Sequence, residues 1–100
     1  MAEILAINWI VSDKKIRNGS PIIDGTTIRV MDVAIAMIFH QQDPDGIADW
    51  YGVSLAQVHA ALTYYYDHQS EIDAEIKQHR EIAQEFKEKR LGSRHSPLFG

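Results

Sequence analysis

The stretch from Asp43 to Gln57 constrains this chain most, because it packs helix start and stop signals closely together. Asp43-Pro44-Asp45 reads as a helix start, with an aspartate cap and proline in the first turn, where its missing N–H costs nothing. The short helix that follows, Pro44 to Tyr51, presents Ile47, Ala48 and Tyr51 on one side. Gly52 ends it by accepting a left-handed conformation. Ser54-Leu55-Ala56-Gln57 is a capping box, in which serine and glutamine satisfy each other's free backbone donors. The helix it opens carries Leu55, Val58, Leu62 and Tyr65 along an inner stripe. Short helix, glycine turn and capped second helix together outline a helix-turn-helix. A plain helical packing unit shares that outline.

The flanking segments fill in the class. Trp9-Ile10-Val11 has strand character, and Asp24-Gly25 between Ile22-Ile23 and Thr26–Val30 is a hairpin signal. Residues 9–30 therefore read as a β-ribbon of two or three short strands, which must pack on helices or on another chain. Asp32 can cap a helix from Val33 to Phe39 that is apolar on nearly every side and so expected to be buried. Ser70 with Asp73 offers a further cap, so the chain is expected to break near residues 67–70 and restart as a last helix to about Arg90. One long helix from Ser54 is the competing reading. Ile72, Ile76, His79, Ala83 and Phe86 form a narrow seam suited to helix pairing. Residues 91–100 lack periodicity and read as an irregular tail.

These elements predict an α+β fold, mostly α: a β-ribbon, a helix-turn-helix core and a C-terminal helix with a flexible tail. Residues 1–69 form the first unit in this reading, and residues 70–100 form a docking helix with a partner-binding tail. A length of 100 residues with 45% hydrophobic side chains fits one small globular unit. So small a core makes a homodimer or higher oligomer a reasonable expectation, using the ribbon and the Val33–Phe39 helix. The apolar run Val33–Phe39 is far too short to span a bilayer, and Met1-Ala2-Glu3 does not open a signal peptide, so a cytoplasmic protein without membrane contact is expected. No cysteine is present, which excludes disulfides and thiolate metal sites.

Charge is unevenly laid out. Residues 1–30 carry Lys14, Lys15, Arg17 and Arg29 against three acids, residues 31–66 carry four aspartates and no Lys or Arg, and residues 67–100 carry seven acids and six bases. Phosphate contacts need cations. DNA held by the middle segment would have to borrow them from the N-terminal arm or a second subunit. The candidate DNA contacts are Lys14, Lys15, Arg17 and Arg29 toward the backbone, and Ser54, Gln57 and His59, with Thr63 beyond, toward base edges; glutamine suits adenine. No two of the five histidines share a helix at ligand spacing, and no phosphate loop, nucleophile elbow or paired acids stand out. No cofactor, metal or catalysis is therefore expected. In the tail, Phe86, Arg90, Leu91, Arg94, Leu98 and Phe99 combine arginines with apolar anchors, the composition of a peptide that folds into a partner's groove.

Three runs carry a resemblance: Gly19-x-Pro21-x-Ile23-x-Gly25-Thr26-x-Ile28-x-Val30, Ile47-Ala48-x-x-Tyr51-x-Val53-Ser54 and Val58-x-Ala60-Ala61-Leu62-x-Tyr64-Tyr65. With His68 and Glu71-Ile72-Asp73, they resemble the domain-of-unknown-function family 433 over roughly residues 9–76. The resemblance implies a small winged-helix or helix-turn-helix antitoxin of a type II toxin–antitoxin system. Such a protein is homo-oligomeric, binds its own promoter and blocks a PIN-like ribonuclease toxin through its C-terminal part. One departure is Thr27, where the family often has arginine; the nearest arginine is Arg29. PIN-type nucleases hold metal with clustered carboxylates, so Arg90 and Arg94 are the candidates to plug that site by bidentate pairing. A stand-alone DNA-binding regulator and a protein-only oligomerisation module are the alternatives.

Overall fold

A computed structural model of the chain describes the backbone of residues 2–3 and 8–99, and side chains as far as residue 85. Two short strands, β1 (Ile10–Val11) and β2 (Ile22–Ile23), precede four helices: α1 (Val30–Ile38), α2 (Pro44–Tyr51), α3 (Leu55–Asp67) and α4 (Gln69–Phe99). The fold is mostly α with a small antiparallel sheet at its N-terminal end, the class the sequence predicts.

The ribbon differs in its pairing. β2 pairs antiparallel with β1, matching Ile10 to Ile23 and Val11 to Ile22. The turn at Asp24-Gly25 does form: Gly25 has φ 79°, and the Thr26 amide donates to the Ile23 carbonyl at 3.0 Å. The limb after it is not a strand, and one bridge, Ile22 to Arg29, joins it to β2. Two local preferences win over β-branching. The Thr26 hydroxyl donates to the Ile23 carbonyl and accepts from the Ile28 amide, prolonging the turn. Asp32 then draws the backbone into a helix by accepting the Arg29 amide at 3.0 Å. So α1 begins at Val30, three residues earlier than expected, and Asp32 lies inside its first turn rather than at its cap.

The core gathers Ile23, Val30, Val33, Ala34, Ile47, Val58, Ala61, Leu62 and Tyr65, with Ile72 and Ile76 from the first turns of α4. Each fully buried valine or isoleucine contributes about 1.5–3 kcal/mol relative to exposure. Burial does not extend along all of α1: Met37 is half-buried, and Ile38 and Phe39 are exposed. Nor does it hold at Leu55, which opens α3 and lies 43% exposed. Both places are helix ends, where the stripe runs past the body it packs on.

Helices α3 and α4 are separate. His68 leaves the helical region (φ −127°, ψ 39°), and its amide still caps the Tyr64 and Tyr65 carbonyls. The restart comes at Gln69, so Ser70 sits within α4 rather than capping it. The seam leaves the body after Ile76, and every residue from Lys77 to Glu85 is exposed, His79 and Ala83 among them. The helix runs on to Phe99, through the segment expected to be irregular. A helix already nucleated gains one hydrogen bond per residue as it extends, except at Pro97, which has no backbone N–H to donate.

Candidate nucleic-acid and partner interfaces

Helices α2 and α3 form the turn that the punctuation predicts. Asp43 Oδ1 accepts the Gly46 amide at 2.8 Å, Pro44 fills the first turn of α2, and Gly52 closes it with φ 69°. Ser54 Oγ accepts the Gln57 amide at 3.1 Å, and Gln57 Oε1 accepts the Ser54 amide at 2.8 Å. This pairing bears on readout. Bidentate recognition of adenine needs both ends of a glutamine amide, and the oxygen of Gln57 is already engaged. His59 lies on the outward stripe of α3 with Ala56, Ala60 and Thr63, and this stripe faces Asn8 and Trp9 across a cavity of about 600 Å³.

The four N-terminal cations divide into two kinds. Lys14 and Lys15 are exposed on the loop between β1 and β2. The Arg29 guanidinium is instead held against Asp32, Nε to Oδ2 at 3.0 Å and Nη2 to Oδ1 at 2.9 Å, with both side chains 18% exposed. The Asp32 hydrogen bond raises the Arg29 pKa, against the opposing pull of burial. Arg17 comes within 3.6 Å of the same carboxylate. It stands in the left-handed region at φ 52°, as does Asn18 at φ 57°, so the loop curls tightly back toward α1. From Met31 to Ile76 the chain has no Lys or Arg, and α1, α2 and α3 with the start of α4 hold Asp32, Asp45, Asp49, Asp67, Glu71, Asp73 and Glu75.

A second surface lies where α4 leaves the body. Ile38 and Phe39 from the end of α1 face Ile76, Lys77 and Arg80 of α4 across a groove of about 770 Å³. The Arg80 guanidinium sits 4.5 Å from the centre of the Phe39 ring, a cation–π contact. Tyr66, 59% exposed, places its hydroxyl 3.8 Å from Met37 Sδ. Sequence reasoning did not single out Ile38, Phe39 or Trp50 as surface features, whereas around a helix Tyr66 is expected at an interface rim beside a core Tyr65. For Trp50 the signal was present, since the inner stripe of Ile47, Ala48 and Tyr51 leaves it out. The candidate toxin contacts Phe86, Arg90, Leu91, Arg94, Leu98 and Phe99 fall on α4 beyond the residues whose side chains are described.

Two aromatic contacts fix the α3–α4 junction. Tyr65 is buried and its hydroxyl donates to Asp73 Oδ1 at 2.7 Å; burial, then that bond, pushes its pKa up to about 12. Tyr64 stacks on His68 with ring centres 4.0 Å apart, and burial raises its pKa too. Among the described residues no three His, Asp or Glu side chains are grouped to hold a metal ion, and no helix is long and apolar enough to cross a membrane.

No curated protein and no solved structure matches the chain. A family described as "protein of unknown function (DUF433)" matches residues 10–65. That match begins at β1 and ends at Tyr65, so it takes in the ribbon and most of the three-helix body and leaves α4 outside. Covering more than half of the sequence, it establishes that the chain belongs to the DUF433 family.

Proposed function

We propose that this protein is an antitoxin that neutralises a PIN-like ribonuclease through its C-terminal helix and represses its own promoter through α2 and α3. The observation that carries the reading is the course of α4. Its first turns are anchored by Ile72 and Ile76, and the stretch from Lys77 to Glu85 then stands exposed. An anchored helix with an exposed continuation carries the arginines and apolar residues of its last third toward a partner. Arg90 and Arg94 supply the bidentate donors for a carboxylate-lined nuclease site. Lys14 and Lys15 on the ribbon loop supply the phosphate contacts for the promoter half of the role.

A second reading, a protein-only module without DNA binding, is favoured by the electrostatics. The helix-turn-helix segment carries no cation, and Gln57 spends its oxygen on its own helix cap. Co-expression of the full chain and a 1–90 truncation with the neighbouring gene's product tests the first reading. Co-purification of a nuclease with the full chain, lost on truncation, is expected. Failure of the full chain to capture a nuclease overturns the antitoxin role. A salt-dependent mobility shift on upstream DNA then separates a DNA-binding regulator from a protein-only module.

A further inference from the structure

Ile38 and Phe39 are 43% and 46% exposed where α1 ends, and α4 forms the opposite wall of the groove they border. Further along α4, Ile82 is 45% exposed, and Ala83 beside it is exposed as well. This helix cannot close the groove of which it is itself a wall. It runs unbroken for 31 residues, a length of about 46 Å at the rise of an α-helix. Its later turns therefore continue past the groove rather than back into it. Whatever covers Ile38 and Phe39 comes from another molecule.

The charges of α4 indicate which one, because they fall in alternating blocks. Glu71, Asp73 and Glu75 come first, Lys77 and Arg80 second, Glu81 and Glu85 third, and from Lys87 to Arg94 there are four bases and one acid. An order of acid, base, acid, base meets its opposite when it is read backwards. A second α4 lying antiparallel thus sets acidic blocks against basic ones, whereas a parallel neighbour in register sets like against like. With the pairing centred on Ile82 and Ala83, Lys77 stands level with Glu88, Arg80 with Glu85, Glu75 with Arg90 and Glu71 with Arg94. Two-fold symmetry makes every such pair twice. Asp73, Ile76, Arg80 and Gln84 line the groove together with Phe39, so a helix paired along that face of α4 also covers the apolar end of α1. We infer that the groove is closed by α4 of a second copy of this chain, running antiparallel, with each copy filling the groove of the other. The inference concerns this chain alone and holds whether or not the protein captures a nuclease.

In sedimentation equilibrium the full chain is expected to pass from monomer to dimer as its concentration rises. Lys77→Glu and Glu88→Lys are each expected to weaken the dimer about tenfold, because symmetry doubles the exchange of an exposed attraction for a repulsion. Mixing the two variants in equal amounts restores opposite charges at both places and is expected to restore the dimer. Phe39→Ala, at a position already exposed in the single chain, is expected to weaken it as well. The sequence has no cysteine, so single substitutions report direction: Ala83→Cys is expected to cross-link two copies on oxidation, and Lys77→Cys is not. A chain that stays monomeric at every concentration leaves the groove to a different protein and overturns the proposal. So does a dimer indifferent to Phe39→Ala and to both charge exchanges, or one that cross-links through Lys77→Cys and not through Ala83→Cys.

Discussion

Arg29 and Asp32 face each other across the first turn of α1, joined by two side-chain hydrogen bonds of 3.0 and 2.9 Å. The carboxylate also accepts the Arg29 backbone amide at 3.0 Å, so one group fixes the guanidinium and starts the helix. Charge-assisted bonds of this kind contribute about 1.5–3 kcal/mol when partly buried. Asp32→Asn is therefore expected to lower unfolding free energy by about 2 kcal/mol in urea titrations. Arg29→Lys is expected to lose roughly half as much, keeping the charge and losing the fork. A neutral result in both would show that the pair does not hold the ribbon loop to α1.

Gly52 carries φ 69°, and a methyl group added there would meet nothing within 4 Å. The cost of Gly52→Ala is thus purely conformational, about 1–2 kcal/mol. Ser54→Ala removes half of the capping box and is expected to cost about 1 kcal/mol. Urea denaturation of the two single variants and the double variant measures both effects. Equal stability of Gly52→Ala and the parent would contradict the left-handed turn.

Tyr65 gives the protein an alkaline limit. Its folded pKa is raised from 10 to about 12, chiefly by burial and then by Asp73. A raised pKa means that the native state favours the neutral hydroxyl. That stabilisation is complete below pH 10 and is lost as pH rises toward 12. Melting temperature is expected to fall across that window, and Tyr65→Phe is expected to flatten the fall. At neutral pH the same variant is expected to lose about 1 kcal/mol, the net worth of one hydrogen bond.

If the promoter is bound, Lys14 and Lys15 carry the electrostatic part. The double alanine variant is expected to reduce the slope of log K against log salt by about 2, close to one per phosphate contact. Gln57→Ala is expected to change stability more than sequence preference, because its amide oxygen caps α3. Mobility shifts at several salt concentrations, on specific and scrambled duplexes, check both expectations.

Local signals were legible wherever a side chain bonds its own backbone. Asp43, Gly52, Ser54 and Gln57 mark α2 and α3 because caps act within three or four residues, and the bounds Pro44–Tyr51 follow from them. The Thr26–Val30 limb was misread as a strand for the complementary reason. Its β-branched residues are common to strands and buried turns, and Asp32 decides between them through a contact with Arg29 that periodicity does not record. The surface at Ile38 and Phe39 was hidden because an apolar run says how greasy a helix is, not where its neighbours stop. For the cations, composition showed four N-terminal charges but not that Asp32 takes up one of them and approaches a second.

If α4 captures a partner as proposed, its exposed length ties recognition to helix propensity. The stretch from Lys77 to Glu85 is exposed, so its winding rests largely on its own backbone bonds and side-chain preferences, and short helices in water are marginal. Whatever grips its far end must therefore also supply the free energy that keeps the intervening turns wound. A change such as Ala83→Gly, at an exposed position, would then weaken capture by about 1 kcal/mol through the unbound ensemble. In the antitoxin reading, affinity would then be set partly by residues that never meet the partner.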